Sequence, residues 1–355
     1  MRLTEARAQV IPTPLSVPYR IAGITFDRVD LVMVSLRDGK GTPGYGTASP
    51  VAQLTGEDAA GTASTLQEEM LPAVVGRDVS DLEETIGRAA ASAPRARAAL
   101  AAFDIALHDL HARSRGVPLV TMLGGARRRL FTSITIGIGD PELMADTARR
   151  HARAGFRAIK VKIGENPDAD LDAVRRIREA VGPSVAIRVD ANQGYDAPTA
   201  AEVARLLDPL GVELIEQPVA VGDPLALRQA GLSTRIPVVA DESVHVVEDF
   251  EPLRAAGAAR GVNIKLMKCG GVLAARRLDQ ALSRAGWASL VGCMDESRAS
   301  IAAAAHFAAA AESVAWIDLD GHFDLAADPF TGGVELVNGE LVLSDAHGLG
   351  VSLPS

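Results

Sequence analysis

The stretch AIRVDANQGYDAPTAAEVARLLDPLGVELIE, residues 186–216, decides the fold. It opens with a short apolar run that ends in Asp190, continues with apolar residues at helical spacing, and closes with an apolar run that ends in Glu216. The next such run ends in Asp241, so the three acids are spaced 26 and 25 residues apart. One strand, one helix and two turns take about that many residues. We therefore expect three carboxylates at the same end of neighbouring parallel strands.

Strict alternation of strand and helix begins near residue 130. Short apolar, β-branched runs lie at 131–137, 158–163, 186–190, 212–216, 237–241, 262–267, 289–294 and 314–319. Eight such runs separated by amphipathic segments favour a closed parallel barrel over an open sheet. A doubly wound sheet would usually carry a glycine-rich phosphate loop after its first strand, and the turn at 137–139 lacks the third glycine.

Both chain ends depart from this repeat. Residues 1–125 predict strands at 2–11 and 29–37, a loop rich in Gly, Thr and Pro at 41–56, and helices at 57–75, 80–92 and 95–115. We interpret this part as an α+β module. The stretch 321–355 predicts a loop with short strands, and we infer that it returns to that module. The barrel itself is expected over 126–320.

Composition limits the class of protein. A formal net charge of −9 over 355 residues argues against nucleic acid or an anionic membrane as the main partner. No apolar run approaches the length of a membrane span, and the start MRLTEARAQV lacks the apolar core of a signal peptide. With only Cys269 and Cys293, a reduced cytoplasmic protein is the simplest interpretation. The arginine run at 127–129 is expected to be a solvated turn rather than an anion site.

Charged residues stand at the ends of most predicted barrel strands, where the working face of such a barrel lies. They are Lys160 and Lys162 on the second strand, then Asp190, Glu216, Asp241 and Lys265 on the next four, Glu296 after the seventh, and Asp318 and Asp320 on the eighth. Any single one could be a satisfied structural ion pair. Unpaired buried charge is costly, so the whole set in register predicts a functional site.

The residue types indicate the chemistry. Carboxylate oxygens on three strands, with no His or Cys among them, suit Mg²⁺ rather than Zn²⁺. Lys162 and Lys265 are expected to face each other across the barrel mouth. A lysine becomes a useful base when its pKa falls from about 10 toward neutrality, which a nearby Mg²⁺ and the second ammonium of Lys160 would promote. Removing a proton from one face of a metal-bound carboxylate and returning one to the other is a racemisation or epimerisation.

Ordered motifs over nearly the whole chain resemble the enolase superfamily, in its muconate-lactonising subgroup. They are KVK at 160–162, VDAN at 189–192, IEQP at 215–218, ADES at 240–243, NIKLMKCGG at 263–271 and the segment 99–125 that leads into the barrel. The resemblance implies an α/β fold, a modified TIM barrel of the (β/α)7β type under a capping domain made from both chain ends. It also implies Mg²⁺ on Asp190, Glu216 and Asp241, and acid/base roles for Lys162 and Lys265, with Glu242 supporting the ligands. Lysine bases with Mg²⁺ are a known pattern of that superfamily.

Two acids at the end of the predicted eighth strand indicate which activity within the subgroup the chain has. Alternate residues on a strand share a side, so Asp318 and Asp320 point the same way. They resemble the Asp-x-Asp pair with which dipeptide epimerases hold the α-ammonium of their substrate, and two acids are suited to that charge. The alternative is that they cap the following loop or meet Arg298. Lys160, Glu296 and Thr135 complete the predicted substrate contacts around this end of the barrel.

An N-terminal loop, SVPYRIAGITFDR at 16–28, is expected to close over the site and select the side chain of the residue that is epimerised. Members that act on Ala-Glu place a basic residue there, whereas Ile24 falls at that position in this chain, with Tyr19 as a further lining candidate. We therefore expect a Mg²⁺-dependent dipeptide epimerase with an apolar second residue, as a homo-oligomer. The alternatives are an o-succinylbenzoate synthase or N-succinylamino acid racemase, and a non-catalytic binding or scaffold protein on the same fold.

Overall fold

The computed structural model describes residues 1–126 and 129–354. Arg127 and Arg128, two of the three residues predicted as a solvated turn, lie outside the described residues. The N-terminal part contains a three-stranded antiparallel sheet followed by helices. Its elements are β1 Leu3–Ile21, β2 Ile24–Asp38, β3 Pro43–Ala48, α1 Ala52–Thr55, α2 Ala59–Thr65, a π-helical turn Leu66–Met70, α3 Leu71–Val74, α4 Leu82–Ser92, α5 Arg97–Ser114 and α6 Leu119–Met122.

Strand β3 occupies part of the stretch that we expected to be a loop. It pairs with β2 and packs directly against helix α5. A Cβ atom at Gly44 would lie 2.4 Å from the carbonyl oxygen of Ala106, and one at Gly46 would lie 2.2 Å from that of Ala102. The glycines that indicated a loop are therefore required for a close approach of strand and helix.

The predicted loop at 16–28 is a β-hairpin. Strand β1 runs on to Ile21, which pairs with Ile24 across a tight turn whose Gly23 has φ 75°. Glycine adopts this left-handed conformation without steric cost. The pairing is irregular between Pro14 and Tyr19, so the tip of the hairpin is offset from its base.

The barrel follows after β4 Arg129–Phe131, and its eight strands are parallel and adjacent in chain order. They are β5 Ile134–Ile136, β6 Ala158–Lys162, β7 Ala186–Asp190, β8 Val212–Glu216, β9 Val238–Ala240, β10 Gly261–Lys265, β11 Ala288–Gly292 and β12 Val314–Asp318. The helices are α7 Pro141–Arg153, α8 Pro167–Val181, α9 Ala197–Leu207, α10 Pro224–Leu232, α11 Val247–Ala256, α12 Leu266–Cys269, α13 Val272–Ala285 and α14 Arg298–Ala310. The predicted (β/α)7β barrel is confirmed.

A backbone hydrogen bond connects the first and last strands of the barrel. The N–H of Ser133, just before β5, donates to the carbonyl oxygen of Ile317 in β12 at 3.0 Å. Strand register then aligns the charged residues: Lys162 pairs with Asp190, and Asp190 with Glu216. On the other side, Lys265 and the eighth-strand Asp318 share a row through Gly292. The predicted convergence of these strand ends therefore follows from the register.

The C-terminal segment contains β13 Thr331–Gly332, β14 Val334–Val337, β15 Glu340–Leu343 and β16 Val351–Ser352, of which β15 pairs with β4. It contacts the N-terminal part at several points. The N–H of Ser16 donates to the carbonyl oxygen of Asp324 at 2.7 Å, and the N–H of Leu349 donates to Asp109 Oδ1 at 2.7 Å. The domain boundaries near 125 and 320 stay predictions. No helix within 1–126 and 129–354 is both long and apolar enough to cross a membrane.

Candidate active site

Lys160 lies at the centre of the charged cluster. Its Nζ is 2.8 Å from Glu216 Oε2, 2.9 Å from Asp318 Oδ2 and 3.0 Å from Asp190 Oδ2, and the residue is 2% exposed. Burial alone would lower the lysine pKa, but these carboxylates outweigh burial and raise the pKa well above its usual value. Lys160 is thus a fixed ammonium that joins strands β6, β7, β8 and β12.

Two further lysines flank the acids from opposite sides of the barrel. Lys162 Nζ donates to Asp190 Oδ2 at 2.7 Å and to Asn192 Oδ1 at 2.9 Å. Lys265 Nζ lies 2.9 Å from Asp241 Oδ2. Burial would lower the pKa of Lys265, but the Asp241 carboxylate raises it above its ordinary value. The fall in the lysine pKa that a nearby Mg²⁺ and the ammonium of Lys160 would promote stays a prediction.

The three predicted metal ligands affect one another's ionisation. Burial raises the pKa of Glu216 to about 7, together with the charge of Asp190. For Asp190, burial acts in the same direction, but the ammonium groups of Lys162 and Lys160 hold the pKa at about 2. Asp241 is likewise buried, yet Lys265 and its other basic neighbour, Lys268, keep its pKa well below the usual range. The set is a compact group of mutually coupled carboxylates.

The donor atoms of these acids bear on whether they can hold a metal ion. Within the described residues, no three Asp, Glu, His or Cys side chains already surround one point as a ligand group. However, three buried carboxylate oxygens accept no hydrogen bond of normal geometry from the described part of the chain: Glu216 Oε2, Asp241 Oδ1 and Glu242 Oε2. The first two face ammonium groups at ion-pair distance. Oxygen donors without imidazole or thiolate fit a hard cation such as Mg²⁺.

Lys268 and Asn263 contact the predicted metal ligands but were not predicted from the sequence. Lys268, in α12, is 3% exposed and contacts both the carboxylate and the carbonyl oxygen of Asp241. It also donates to the carbonyl oxygens of Asn263 at 3.1 Å and Val244 at 3.2 Å. Asn263 in turn donates to Glu216 Oε1 at 2.6 Å. The motif at 263–271 contained both residues, but strand periodicity could assign only Lys265 to the site.

A cavity of about 600 Å³ adjoins the cluster and extends to the β1–β2 hairpin. Five predicted site residues line it: Tyr19, Thr135, Lys162, Asp318 and Asp320. Its apolar wall includes Val17, Phe26, Val51 and Leu54. A cavity with one apolar wall and a few converging charges is the usual form of a small-molecule site.

Ile24 and Glu296 lie outside the described lining of this cavity. Ile24 lies next to the hairpin turn, where it pairs with Ile21, beyond the part of the hairpin that lines the cavity. Glu296 is 1% exposed, and its Oε1 accepts a hydrogen bond from the N–H of Met294 at 2.9 Å. Burial raises the Glu296 pKa to about 7. The structure therefore does not place Ile24, Glu296 or the third such predicted substrate contact, Lys160, in the described lining of the cavity.

The two acids of the eighth strand have different partners. Asp318 Oδ1 accepts a hydrogen bond from Ser133 Oγ at 2.7 Å, and burial is outweighed by Lys160, which lowers the Asp318 pKa. Asp320 Oδ2 accepts the backbone N–H of Thr135 at 2.6 Å, and burial together with Asp318 raises its pKa to about 7. Arg298, the alternative partner, donates to the carbonyl oxygen of Val334 at 3.1 Å. It therefore does not neutralise either acid.

The cavity is also lined by Asp295 and Asp324, two carboxylates that the sequence analysis did not predict as site residues. Asp295 follows β11, and its Oδ2 accepts a hydrogen bond from the Tyr19 hydroxyl at 2.8 Å. Asp324 lies beyond β12 and also lines the cavity. Burial raises the pKa of Asp295 to about 6 and, with the charge of Asp295, that of Asp324 to about 7. The only sequence signal for Asp295 was its position after the seventh strand, which Glu296 shares.

Comparison with known proteins identifies the family. Residues 4–124 match the mandelate racemase / muconate lactonizing enzyme N-terminal domain, and residues 143–354 match the enolase C-terminal domain-like family. The chain therefore belongs to the mandelate racemase / muconate lactonizing enzyme family of the enolase superfamily. The resemblance seen in the sequence motifs is confirmed.

Full-length relatives have a common type of activity. An L-Lys-D/L-Arg epimerase of Methylococcus capsulatus is 41% identical over 355 residues, all of both chains. A hydrophobic dipeptide epimerase of Enterococcus faecalis is 36% identical, over 99% of this chain and 100% of that relative. A crystal structure of the dipeptide epimerase from Enterococcus faecalis, complexed with Mg and L-Leu-L-Tyr, has a TM-score of 0.96 at 35% identity and covers 99% of this chain and 100% of that one.

Proposed function

We propose that this protein is a Mg²⁺-dependent dipeptide epimerase that inverts the α-carbon of the C-terminal residue. The observation that carries this proposal is the placement of Lys162 and Lys265 on opposite sides of the coupled acids, each in contact with one of them. Two amines on either side of a bound carbon are what a transfer of protons between its two faces requires. The family and the dipeptide complexes of its relatives support the same reaction.

Asp190, Glu216 and Asp241 would hold the cation next to the terminal carboxylate of the substrate. Bound Mg²⁺ supplies positive charge that stabilises the negative charge which develops on that carboxylate. One lysine, as the neutral amine, takes the α-proton and leaves the substrate as an enediolate. The other lysine, as the ammonium, delivers a proton to the opposite face. The lysines have then exchanged protonation states, and proton exchange with solvent restores them.

Lys160 holds the acids in place rather than moving protons. Its ammonium bridges Asp190, Glu216 and Asp318 from within the barrel. It offsets part of the negative charge of the cluster whether or not a cation is bound. It thereby links Asp190 and Glu216, which would hold the cation beside the substrate's carboxylate, to Asp318, which is expected to face the substrate's ammonium.

The acids of the eighth strand favour a substrate with a free amine. Asp318 and Asp320 line the cavity, and a dipeptide would direct its α-ammonium toward them. An N-succinyl amino acid or the precursor of o-succinylbenzoate carries a carboxylate at that end, which these acids would repel. The apolar wall formed by Val17, Phe26 and Val51 suits an apolar second residue. We further infer a cytoplasmic location and a homo-oligomeric state.

The proposal is tested by assaying substrate classes side by side. Purified protein with Mg²⁺ should convert L,L-dipeptides with an apolar second residue to the L,D-epimers, as followed by chiral chromatography. N-succinyl amino acids and the o-succinylbenzoate precursor should react far more slowly. Turnover of the succinyl compounds alone would establish the alternative, and no turnover across a broad dipeptide library would overturn the proposal.

A further inference from the structure

The cavity lining includes the basic residues Arg20, Arg150 and Lys162, but three of its carboxyls have none of them as an ion-pair partner. These three are Asp295, Asp320 and Asp324. Asp318 has an ammonium partner, since Lys160 lies 2.9 Å away. No Lys, Arg or His of the described chain is within ion-pair distance of the other three. Since the proposed function brings one α-ammonium to the eighth-strand acids, at least one buried carboxylate would remain without a counter-charge.

Asp295 gives an independent indication of a missing partner. The residue is only 7% exposed, and its Oδ2 is held by the Tyr19 hydroxyl at 2.8 Å. Its other carboxylate oxygen, Oδ1, receives no hydrogen bond from any described residue, although the side chain lines the cavity. A carboxylate oxygen of a largely buried residue that opens onto a cavity without a donor is suited to a donor supplied by a ligand.

Asp324 is held beside Asp295 by the N-terminal hairpin. Its carbonyl oxygen accepts the N–H of Ser16, in the same strand as Tyr19. Burial raises the pKa of Asp324, and the charge of Asp295 raises it further. Burial likewise raises the pKa of Asp295, and the charge of Asp320 adds to that effect. The three carboxyls therefore form one coupled group. Such like-charge groups are relieved when a cation enters between them.

We propose that Asp295 and Asp324 form a subsite for a cationic side chain on the N-terminal residue of the dipeptide, such as Lys or Arg. This inference rests on the proposed function. The α-ammonium and the side chain of that residue leave the same carbon, so a chain of three or four methylenes that starts near Asp320 reaches the neighbouring acids. A guanidinium would use both oxygens of one carboxylate, and an ammonium would bind as a point charge. The apolar wall remains available to the second residue.

The substrate preference of the unmodified protein is the first test. The probes are L-Lys-L-Leu and L-Arg-L-Leu, compared with L-norleucyl-L-Leu, which has nearly the shape of the lysyl compound without its charge, and with L-Glu-L-Leu. We expect kcat/KM for the cationic dipeptides to exceed that for the norleucyl dipeptide by at least about tenfold, as for a desolvated charge pair, with the glutamyl dipeptide slowest. Equal values, or a preference for norleucine, would overturn the subsite.

Two variants test whether Asp295 and Asp324 cause the preference for a cationic first residue. Asp295→Asn and Asp324→Asn should each lower the lysyl-to-norleucyl ratio of kcat/KM about tenfold, with most of the change in KM. Asp140→Asn is the matched control, because Asp140 also lines the cavity but its carboxylate already accepts the N–H groups of Glu142 and Leu143. That control should keep the ratio of the unmodified protein. Ratios that stay unchanged in both cluster variants would contradict the assignment.

The outcomes separate this inference from the proposed function. If the protein epimerises dipeptides but does not prefer a cationic first residue, the subsite is wrong and the proposed function stands. If it epimerises no dipeptide, both are wrong. Should an Asn variant fail to fold, the panel on the unmodified protein still decides, because it requires no substitution.

Discussion

Lys162 Nζ lies 2.7 Å from Asp190 Oδ2, and the two residues are direct register partners on adjacent parallel strands. The amine that is proposed to move a proton is therefore positioned by a carboxylate that is proposed to hold the cation. Across the barrel, Lys265 and Asp241 repeat this pairing at 2.9 Å. Each lysine is thus in contact with a carboxylate of the proposed metal site. A cation bound there would therefore lie close to both amines.

Metal removal should abolish the activity. Chelation should stop epimerisation, and added Mg²⁺ should restore it, because the carboxylates then have a cation to hold. Glu216→Gln should weaken Mg²⁺ binding at least about tenfold by calorimetry, while Glu213→Gln, on the same strand and paired with Arg188, should leave it nearly unchanged. Full activity in the presence of chelator would contradict a role for the cation.

Asp320→Asn should raise KM for a dipeptide with a free amine by about tenfold to a hundredfold, because a charged hydrogen-bond acceptor for the α-ammonium is lost. The same substitution should have little effect on an N-acetylated dipeptide, which carries no ammonium. Steady-state kinetics on the two substrates would measure this difference. Equal losses on both would indicate that Asp320 only supports the strand end through Thr135.

The preference for a free amine should depend on pH. The pKa of Asp320 is raised to about 7, so this carboxyl becomes protonated and uncharged as the pH falls below 7. Only the ionised form attracts an ammonium. We expect kcat/KM for the free dipeptide, divided by that for its N-acetyl analogue, to fall about tenfold between pH 7 and pH 5.5. The ratio cancels the ionisation of the lysines, and a ratio that is flat with pH would contradict the assignment.

Lys268→Met should destabilise the fold, because Lys268 is a buried ammonium held by the Asp241 carboxylate and three carbonyl oxygens. Removing one partner of a buried pair costs about 3 kcal/mol of unfolding free energy. Urea denaturation would measure the change. Arg175→Met, which removes an exposed pair with Asp172, is the control and should change stability little. Equal stability of both variants would show that Lys268 is dispensable.

Much of the barrel could be predicted because its strands and helices repeat at a regular spacing in the sequence. Strand ends repeat at the spacing of one βα unit, and parallel register then brings Lys162, Asp190 and Glu216 into one row. Strand β3 could not be predicted, since Gly44 and Gly46 are ordinary loop residues until the position of helix α5 is known. Local composition does not contain that tertiary contact.

The specificity region was predicted less well for a geometric reason. Strand β11 ends at Gly292, and beyond it the alternation of side chains no longer fixes direction. The structure places Asp295 in the cavity, whereas the predicted contact Glu296 is turned inward to the N–H of Met294. In the hairpin, the register is irregular between Pro14 and Tyr19, and Tyr19 lines the cavity whereas Ile24 lies next to the turn. A bulge of this kind re-aims side chains, and sequence counting could not detect it.

Isotope exchange tests most directly whether two lysines act on opposite faces of one carbon. Lys162→Ala and Lys265→Ala should each lose epimerisation by a factor of at least about a thousand. In D₂O, each variant should still exchange the α-proton of only one diastereomer of the dipeptide, as followed by NMR, and the two variants should differ in which one. Exchange of both diastereomers by either variant, or epimerisation that survives the loss of one lysine, would contradict the account.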